Sequence, residues 1–440
     1  MAAELTVLTG AYNHDLTRLA EYRAVGGYRQ LTRARKMKPP AVIEEISKAS
    51  LRGRGGAGFP MGRKLGLVPP ADKRQGPAYV VVNADESEPG AFKDREIIRR
   101  VPHRLLEGCL IAAHAIQAEA VFIYIRGEYL AEALVLEAAI DEARLAGLFG
   151  QVKVLLHRGA GAYICGEESA LLESLEGNRG QPRPRPPFPP VAGLYMQPTL
   201  INNVQTVASV PAIIELGAER YAQLGVASAP GTVVYSLSGN VNRPGNYELP
   251  LGVTLRELVF EHGQGIADGR ALKAIIPGGS SVPVFTPDQL DVQLDFDSVQ
   301  AAGSYLGSAA VIVVDERACM VQLALRAEKF YVHESCGKCT PCREGTRWLV
   351  RLLEKIEAGD GTQADLDLVA EVCDRIEGKS LCALGDFAVW CVGSYLEKFR
   401  DEFQRHVDEG RCPYGGESST EGVPAPSDQH THTAMAQVPA

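Results

Sequence analysis

Ala78-Tyr79-Val80-Val81-Val82-Asn83-Ala84-Asp85-Glu86-Ser87-Glu88-Pro89-Gly90 is an unbroken apolar run that passes straight into a turn carrying three acids. Three consecutive valines cannot alternate between core and solvent, so both faces of this strand are covered, as in a parallel sheet lined by helices. Ala120 to Tyr124 and Val152 to Leu156 read the same way, and helical patterns over about Val101 to Ala118 and Glu128 to Leu145 separate them. Further helices are expected over Asp15 to Lys36 and Ala41 to Leu51. Strands alternating with helices predict an α/β domain around a mostly parallel sheet. Ligands of such sheets sit at the carboxyl ends of the strands. Asn83 and Asp85 stand there and can hydrogen-bond ring nitrogens, carbonyls and hydroxyls, although three acids in a turn also suit a solvated loop.

Two glycine-rich segments bear on the same question. Gly53-Arg54-Gly55-Gly56-Ala57-Gly58-Phe59-Pro60 contains a formal G-x-G-x-x-G. The dinucleotide fingerprint needs a strand before it and a helix after it. Here a helical pattern precedes and Pro60 interrupts the stretch beyond, so a standard Rossmann reading fails. The physics survives, because residues without Cβ atoms let backbone N–H groups approach a phosphate, with Arg54 and Lys64 as nearby charge. A mobile surface loop is the other reading. The second segment, Arg158-Gly159-Ala160-Gly161-Ala162-Tyr163-Ile164-Cys165-Gly166-Glu167-Glu168-Ser169, does follow a strand and opens a helix through Leu171, Leu172 and Leu175. It offers either an anion site at a helix N-terminus or acids that complement the helix dipole.

The chemistry is most legible in Ser335-Cys336-Gly337-Lys338-Cys339-Thr340-Pro341-Cys342, with Cys382 far downstream in Leu381-Cys382-Ala383. C-x2-C-x2-C with a remote fourth cysteine is the spacing of a [4Fe–4S] cluster. Zinc usually takes separated pairs, one from each knuckle. Cys109, Cys319, Cys373 and Cys391 lie on apolar helical faces and read as core; Cys165 is given no ligand role, and Cys412 reads as an exposed thiol.

From about Gly231 the texture changes to a small α+β module, with strands at Val233 to Gly239, Leu272 to Ile276 and Ala310 to Val314 and a short helix at Thr254 to His262. Beyond Glu316 four helices are expected: Ala318 to Ser335, Cys342 to Ala358, Thr362 to Ile376 and Leu384 to Val407. The Pro/Arg-rich stretch Gly180 to Tyr195 is a linker or a ligand-facing loop. The tail beyond Cys412 is Gly/Ser/Pro/His-rich and expected to be disordered, with His430 and His432 solvated. A chain of 440 residues suits about three domains. A formal charge of −9 argues against a nucleic-acid surface. No apolar run reaches the roughly 20 residues of a membrane span, and no secretory signal is expected at the N-terminus. The expected location is cytoplasmic, with any membrane reached through partners.

Leu51 to Pro60, Asn83 to Gly90 with Phe92-Lys93-Asp94-Arg95, Tyr163 to Glu168, Asn202-Asn203-Val204 and the cysteine set, in this order, resemble the NADH-binding flavoprotein subunit (F type) of respiratory complex I, NADH:quinone oxidoreductase. Diaphorase subunits of NAD-linked hydrogenases and formate dehydrogenases are similar and form the alternative; their thioredoxin-like and ferredoxin-like extra modules are not expected here, which favours the complex I resemblance. The resemblance implies a Rossmann-like FMN/NADH domain over residues 1–228, a ubiquitin-like β-grasp (SLBB) domain over 229–317, a C-terminal four-helix bundle with the cluster over 318–412, and a tail from 413 to 440. It places FMN on Gly53, Arg54, Gly55, Lys64, Asn83, Asp85, Gly166, Glu167, Asn202, Asn203 and Thr206. It places NADH near Phe59, Glu88, Glu168, Arg185 and Phe188, with Gly56, Gly58, Glu86 and Tyr163 as further cofactor contacts. Glu88, Glu168 and Lys64 would tune and position the hydride step, and Cys336, Cys339, Cys342 and Cys382 would hold the cluster. Leu65, Leu67, Arg185 and Gln205 depart from the family's usual residues and bear chiefly on the adenine contacts. The implied partners are a thioredoxin-like [2Fe–2S] subunit and a large iron–sulfur subunit at the inner face of the plasma membrane.

Overall fold

The computed structural model describes residues 5–415, so residues 416–440, with His430 and His432, lie outside the described residues. Strands β1 (Tyr79–Ala84), β2 (Ala120–Ile125), β3 (Lys153–Arg158) and β4 (Thr199–Asn203) form a parallel sheet in the order β3-β2-β1-β4. Tyr79 pairs with Ala120 on one side and Thr199 on the other. The chain therefore steps outward from β1 to β3 and then returns to β1's opposite edge. That reversal opens a crevice above the carboxyl ends of β1 and β4. Val80 and Val82 enter one core and Val81 another, as expected of a strand covered on both faces. β4 has no counterpart among the strands expected from the sequence, since only Thr199, Leu200 and Ile201 carry strand character beside a proline-rich stretch.

The helical pattern over Asp15 to Lys36 divides into α1 (Leu19–Ala24) and α2 (Arg29–Lys36). A Cβ on Gly27 would lie 2.1 Å from the Tyr22 ring, so the chain turns where a continuous helix was expected. α3 (Pro39–Lys48) and α4 (Met61–Leu67) flank the first glycine segment. α5 (Lys93–Arg100), α6 (Pro102–Ile116) and α7 (Leu130–Leu145) complete the crossovers of the first two strand pairs. α8 (Glu168–Leu175), α9 (Pro189–Ala192) and α10 (Val204–Ala208) border the crevice, and α11 (Val210–Leu216) and α12 (Ala218–Ala222) lead out of the domain. On α6, Gly108 lies so close to α10 that a Cβ would sit 2.1 Å from the Val207 carbonyl oxygen, which sets the depth of the β4–α10 corner.

A two-residue hairpin, β5 (Gly225–Val226) and β6 (Ala229–Pro230), introduces a second sheet of β7 (Thr232–Gly239), β8 (Gly245–Pro250), β9 (Leu272–Ile276) and β10 (Ala310–Asp315). Its order is β8-β7-β10-β9, with β7 and β10 parallel and the outer pairs antiparallel. α13 (Phe296–Ala301) shares this sheet's core through Phe296 and Val299, and the short helix expected over Thr254 to His262 contains a π-helical turn at Glu257–His262.

The last segment comprises α14 (Met320–Glu334), α15 (Thr340–Glu357), α16 (Gln363–Ile376), α17 (Leu384–Lys398) and α18 (Arg400–Glu409). The helix expected over Leu384 to Val407 breaks at Phe399, whose ψ of 32° turns α18 across the others. Glu328 of α14 is fully buried, and neither of its oxygens has a partner. Burial pushes its carboxyl up to about 8. In the unfolded chain a glutamate titrates near 4.3, so the fold is favoured by the neutral form and loses stability as pH rises from there through 8. Glu328→Gln should therefore stabilise the protein by about 1–3 kcal/mol near pH 8, with the gain vanishing at acid pH. Thermal midpoints across that range test this.

Candidate functional site

Residues 51–61 close on themselves: Gly53 N–H donates to Phe59 O at 3.0 Å and Met61 N–H to Leu51 O at 2.9 Å. The loop lies directly on the end of β4. A Cβ on Gly55 would come 2.8 Å from Asn203 Cβ, whereas the space above Gly56, at φ +118°, is open. Only glycine provides such a shallow backbone floor. Gly58, also left-handed, rests on the Phe296 ring of α13. The Arg54 side chain departs from the expected role. It is 2% exposed, and its guanidinium donates to the carbonyls of Thr232 at 3.1 Å, Arg52 at 2.8 Å and Pro230 at 2.7 Å. Its charge faces the start of the second sheet, and Lys64, on α4 just beyond the loop, is the cation that reaches β4 and Glu168.

At the strand ends, Asn83 Nδ2 donates to Gly166 O at 2.8 Å, and Asn83 Oδ1 accepts from Asp85 N–H at 3.1 Å. Asn83 thus joins the first strand end to the second glycine segment. Asp85 uses one oxygen for Ser87 Oγ. Its other oxygen, Oδ2, is buried without a partner, as are Asn202 Nδ2 and both amide atoms of Gln205. Burial lifts the Asp85 carboxyl to about 7. A group of buried donors and acceptors left without partners at one strand-end crevice is what a polar ligand would complete.

Other expected contacts are committed to the fold. Glu86 accepts the Asp94 and Arg95 N–H groups at 2.8 and 3.0 Å and so caps α5 instead of reaching a cofactor. Asn203 Oδ1 caps α10 through Gln205 N–H at 2.9 Å, while its Nδ2 reaches Asp94 Oδ2 at 2.5 Å. Thr206 Oγ1 accepts Arg54 N–H at 2.8 Å. Lys93 and Asp94, a buried ion pair at 2.7 Å, stand between these caps. Their only sequence signal was the Phe92-Lys93-Asp94-Arg95 motif.

One side of the crevice carries a chain of ion pairs. Lys64 Nζ lies 3.1 Å from Glu168 Oε2 and donates to Ile201 O at 3.2 Å. Glu168 Oε1 lies 3.4 Å from Arg185, which also pairs with Glu167. The Pro/Arg-rich stretch is thereby held against α8, whose N-terminus Glu167 caps through Ser169 and Ala170 N–H at 3.0 and 2.9 Å. Phe59 and Phe188 are large apolar side chains left exposed nearby, 41% and 53%. Deeper in, Glu88 accepts from Tyr163 OH at 2.8 Å and from Ser281 N–H at 2.9 Å. Burial outweighs these bonds and holds Glu88 above the usual carboxylate range. Tyr163 N–H in turn donates to Glu334 at the end of α14 at 2.9 Å.

The cysteine loop rests on the same wall. Cys336 O accepts from Arg179 and Gln181, each at 3.1 Å, and Lys338 Nζ donates to Pro182 O at 2.6 Å. Cys342 lies near enough to feel Cys336 and Cys339, and Cys382 to feel Cys336 and Cys342. Burial, with Cys339 and Cys336 adding, pushes the Cys342 thiol up to about 11; burial, with Cys336, Glu167 and Cys342 adding, pushes Cys382 up to about 12. Cys342 and Cys382, held up chiefly by burial, need a cationic partner to deprotonate, and a cluster of iron supplies one. Cys412, expected to be an exposed thiol, is instead half-buried with its sulfur 3.8 Å from that of Cys319.

Comparison with known proteins agrees with this geometry. Residues 46–212 match the Nuo51 FMN-binding domain, 234–285 the SLBB domain, and 322–406 the NADH-ubiquinone oxidoreductase-F iron-sulfur binding region. The chain is 52% identical to the NADH-quinone oxidoreductase F subunit 2 of Rhizobium meliloti (strain 1021), covering 90% of this chain and 96% of that protein. It is 49% identical to the corresponding F subunit of Streptomyces coelicolor over 94% of each. Among solved structures, NAD+-reducing [NiFe]-hydrogenase in the H2-reduced state superposes with a TM-score of 0.82 at 34% identity, covering 93% of this chain and 67% of that one. FMN and a [4Fe–4S] cluster are the cofactors and NADH the substrate. The chain belongs to the family of NADH-quinone oxidoreductase F subunits.

Proposed function

We propose that this chain is the electron-input subunit of an NADH:quinone oxidoreductase, oxidising NADH with FMN and passing electrons singly to a [4Fe–4S] cluster and on to partner iron–sulfur subunits. The observation that carries the reading is the cysteine loop seated, through Cys336 and Lys338, on the wall of a crevice lined with partnerless buried polar groups. When bound, the flavin supplies the conversion from two-electron hydride chemistry to the one-electron steps of the cluster. The protein's own residues bind, orient and exclude water. Asp85 and Asn202 offer the flavin buried hydrogen-bonding atoms, and Gly55, Gly56 and Gly166 let it lie close to the backbone. Lys64 balances anionic charge while Glu168 fixes its position; Phe59 and Phe188 border the nucleotide. Glu88 acts through Tyr163, holding the β1 loop in place. Cys336, Cys339, Cys342 and Cys382 ligate the cluster.

The proposed domains are residues 1–228, 229–317 and 318–412, the last a four-helix bundle of α14 to α17 with α18 across its end. The partners proposed are a thioredoxin-like [2Fe–2S] subunit and a large iron–sulfur subunit, at the cytoplasmic face of the membrane. No helix among the described residues is long and apolar enough to cross a membrane, which fits a peripheral place. The hydrogenase similarity favours a diaphorase as second reading, but relatives near 50% identity outweigh one at 34%.

An anaerobic optical and electron-paramagnetic-resonance titration with NADH tests the proposal. Flavin bleaching followed by a reduced-cluster signal supports it; iron without flavin absorbance overturns it. Asp85→Ala removes a buried acceptor and should weaken FMN binding about tenfold or more, read by flavin fluorescence quenching.

A further inference from the structure

We propose that the helical segment carries a second metal site, a structural zinc ion held by Cys319, Glu357, His406 and Cys412. Four separate pieces of chain meet there. Cys319 caps α14, Glu357 ends α15, His406 lies on α18, and Cys412 follows α18. Cys319 Sγ is 3.4 Å from His406 Nε2, 3.7 Å from Glu357 Oε2 and 3.8 Å from Cys412 Sγ, and His406 Nε2 is 3.2 Å from Glu357 Oε2. All four donor atoms lie within 4.8 Å of one another. Zinc bonds of about 2.3 Å to sulfur and about 2.0–2.2 Å to nitrogen or oxygen set the edges of a tetrahedron. Those edges are about 3.8 Å between sulfurs, about 3.6 Å from sulfur to the lighter donors, and about 3.4 Å between nitrogen and oxygen. The observed separations follow that order within a few tenths of an ångström.

The surrounding bonds orient the donors as a metal requires. His406 Nδ1 donates to Glu402 O at 2.8 Å, which puts its proton there and turns the Nε2 lone pair toward the cluster. Gln322 Nε2 donates to Glu357 Oε1 at 2.8 Å and leaves Oε2 facing inward. The Gln322 N–H points at Cys319 Sγ at 3.4 Å, an interaction that favours a thiolate. His406 and Cys319 are fully buried. Two sulfurs with one imidazole and one carboxylate in a tetrahedral arrangement select zinc among common divalent ions. Zinc has no redox chemistry, and fifteen residues of helix, about 22 Å, separate Glu357 from Cys342. The site therefore clamps the segment after α18 to the helices and takes no part in electron transfer.

The test is to express the full-length chain with iron and zinc supplied, purify it anaerobically with flavin and cluster, and count metals by plasma mass spectrometry. About one zinc per chain is expected, falling about tenfold or more in Cys412→Ser and in Glu357→Gln while iron and flavin stay at wild-type levels. Cobalt loaded in place of zinc should show thiolate charge-transfer absorption that Cys412→Ser removes. Cys412 sits beyond α18, outside the helices described, so their fold does not hang on it. Wild-type protein with less than about a tenth of a zinc per chain overturns the proposal, as does zinc retained in both variants or a thiol count showing Cys319 and Cys412 joined as a disulfide. Loss of iron with zinc intact would strike the cluster assignment and leave this site standing.

Discussion

Cys339→Ser should give a protein that still binds flavin and is still bleached by NADH, yet delivers electrons to quinone at less than about 1% of the wild-type rate. Disturbing a group that merely supports a metal ligand typically costs 10–100-fold, and removing the ligand itself exceeds that. Cys339 begins the turn into α15 and its side chain makes no helix-capping bond, so little of the fold depends on it. Reduction of ferricyanide, which can draw electrons from the flavin, should persist and separate the two halves of the reaction. Quinone-linked turnover near wild type in a variant lacking the cluster signal would remove the proposed route.

Arg54→Leu should destabilise the chain by about 3–5 kcal/mol, because the Arg54 guanidinium joins the first glycine segment to the start of the second sheet. The guanidinium satisfies the carbonyls of Thr232, Pro230 and Arg52, and a leucine would strand the first two away from water. Burial already lowers the basicity of this arginine, with Tyr221 and Tyr235 partly offsetting it. Arg54→Lys should recover only part of the loss, because a point donor cannot span a three-carbonyl fork. Thermal midpoints together with flavin content check both variants. An Arg54→Leu protein as stable as wild type would show the fork to be incidental.

Much of the fold was legible because its signals were local. The valines of β1 announced a doubly covered strand, and the cysteine spacing announced a cluster. β4 was hidden, since its strand character is three residues long and its stability comes from pairing with β1. The breaks at Gly27 and Phe399 are single-residue changes of backbone direction inside otherwise helical patterns, the first packed tightly on the Tyr22 ring five residues earlier. Within the site, residue types predicted polarity but not direction. Arg54, Glu86 and Asn203 look like ligand contacts in sequence, and the structure commits each to a loop, a cap or a neighbouring domain. Asp85, Asn202 and Gln205 are distinguished only by having atoms with nothing to bond. Cys319, Glu357, His406 and Cys412 are far apart in sequence and follow no spacing rule, so only folding reveals their company.

Glu88, Tyr163, Ser281 and Glu334 bind one another across three successive parts of the chain. A joint of that kind opposes hinging between the second glycine segment, the second sheet and α14. Any swing of one part against another would first have to break bonds made by a buried carboxylate, which is costly.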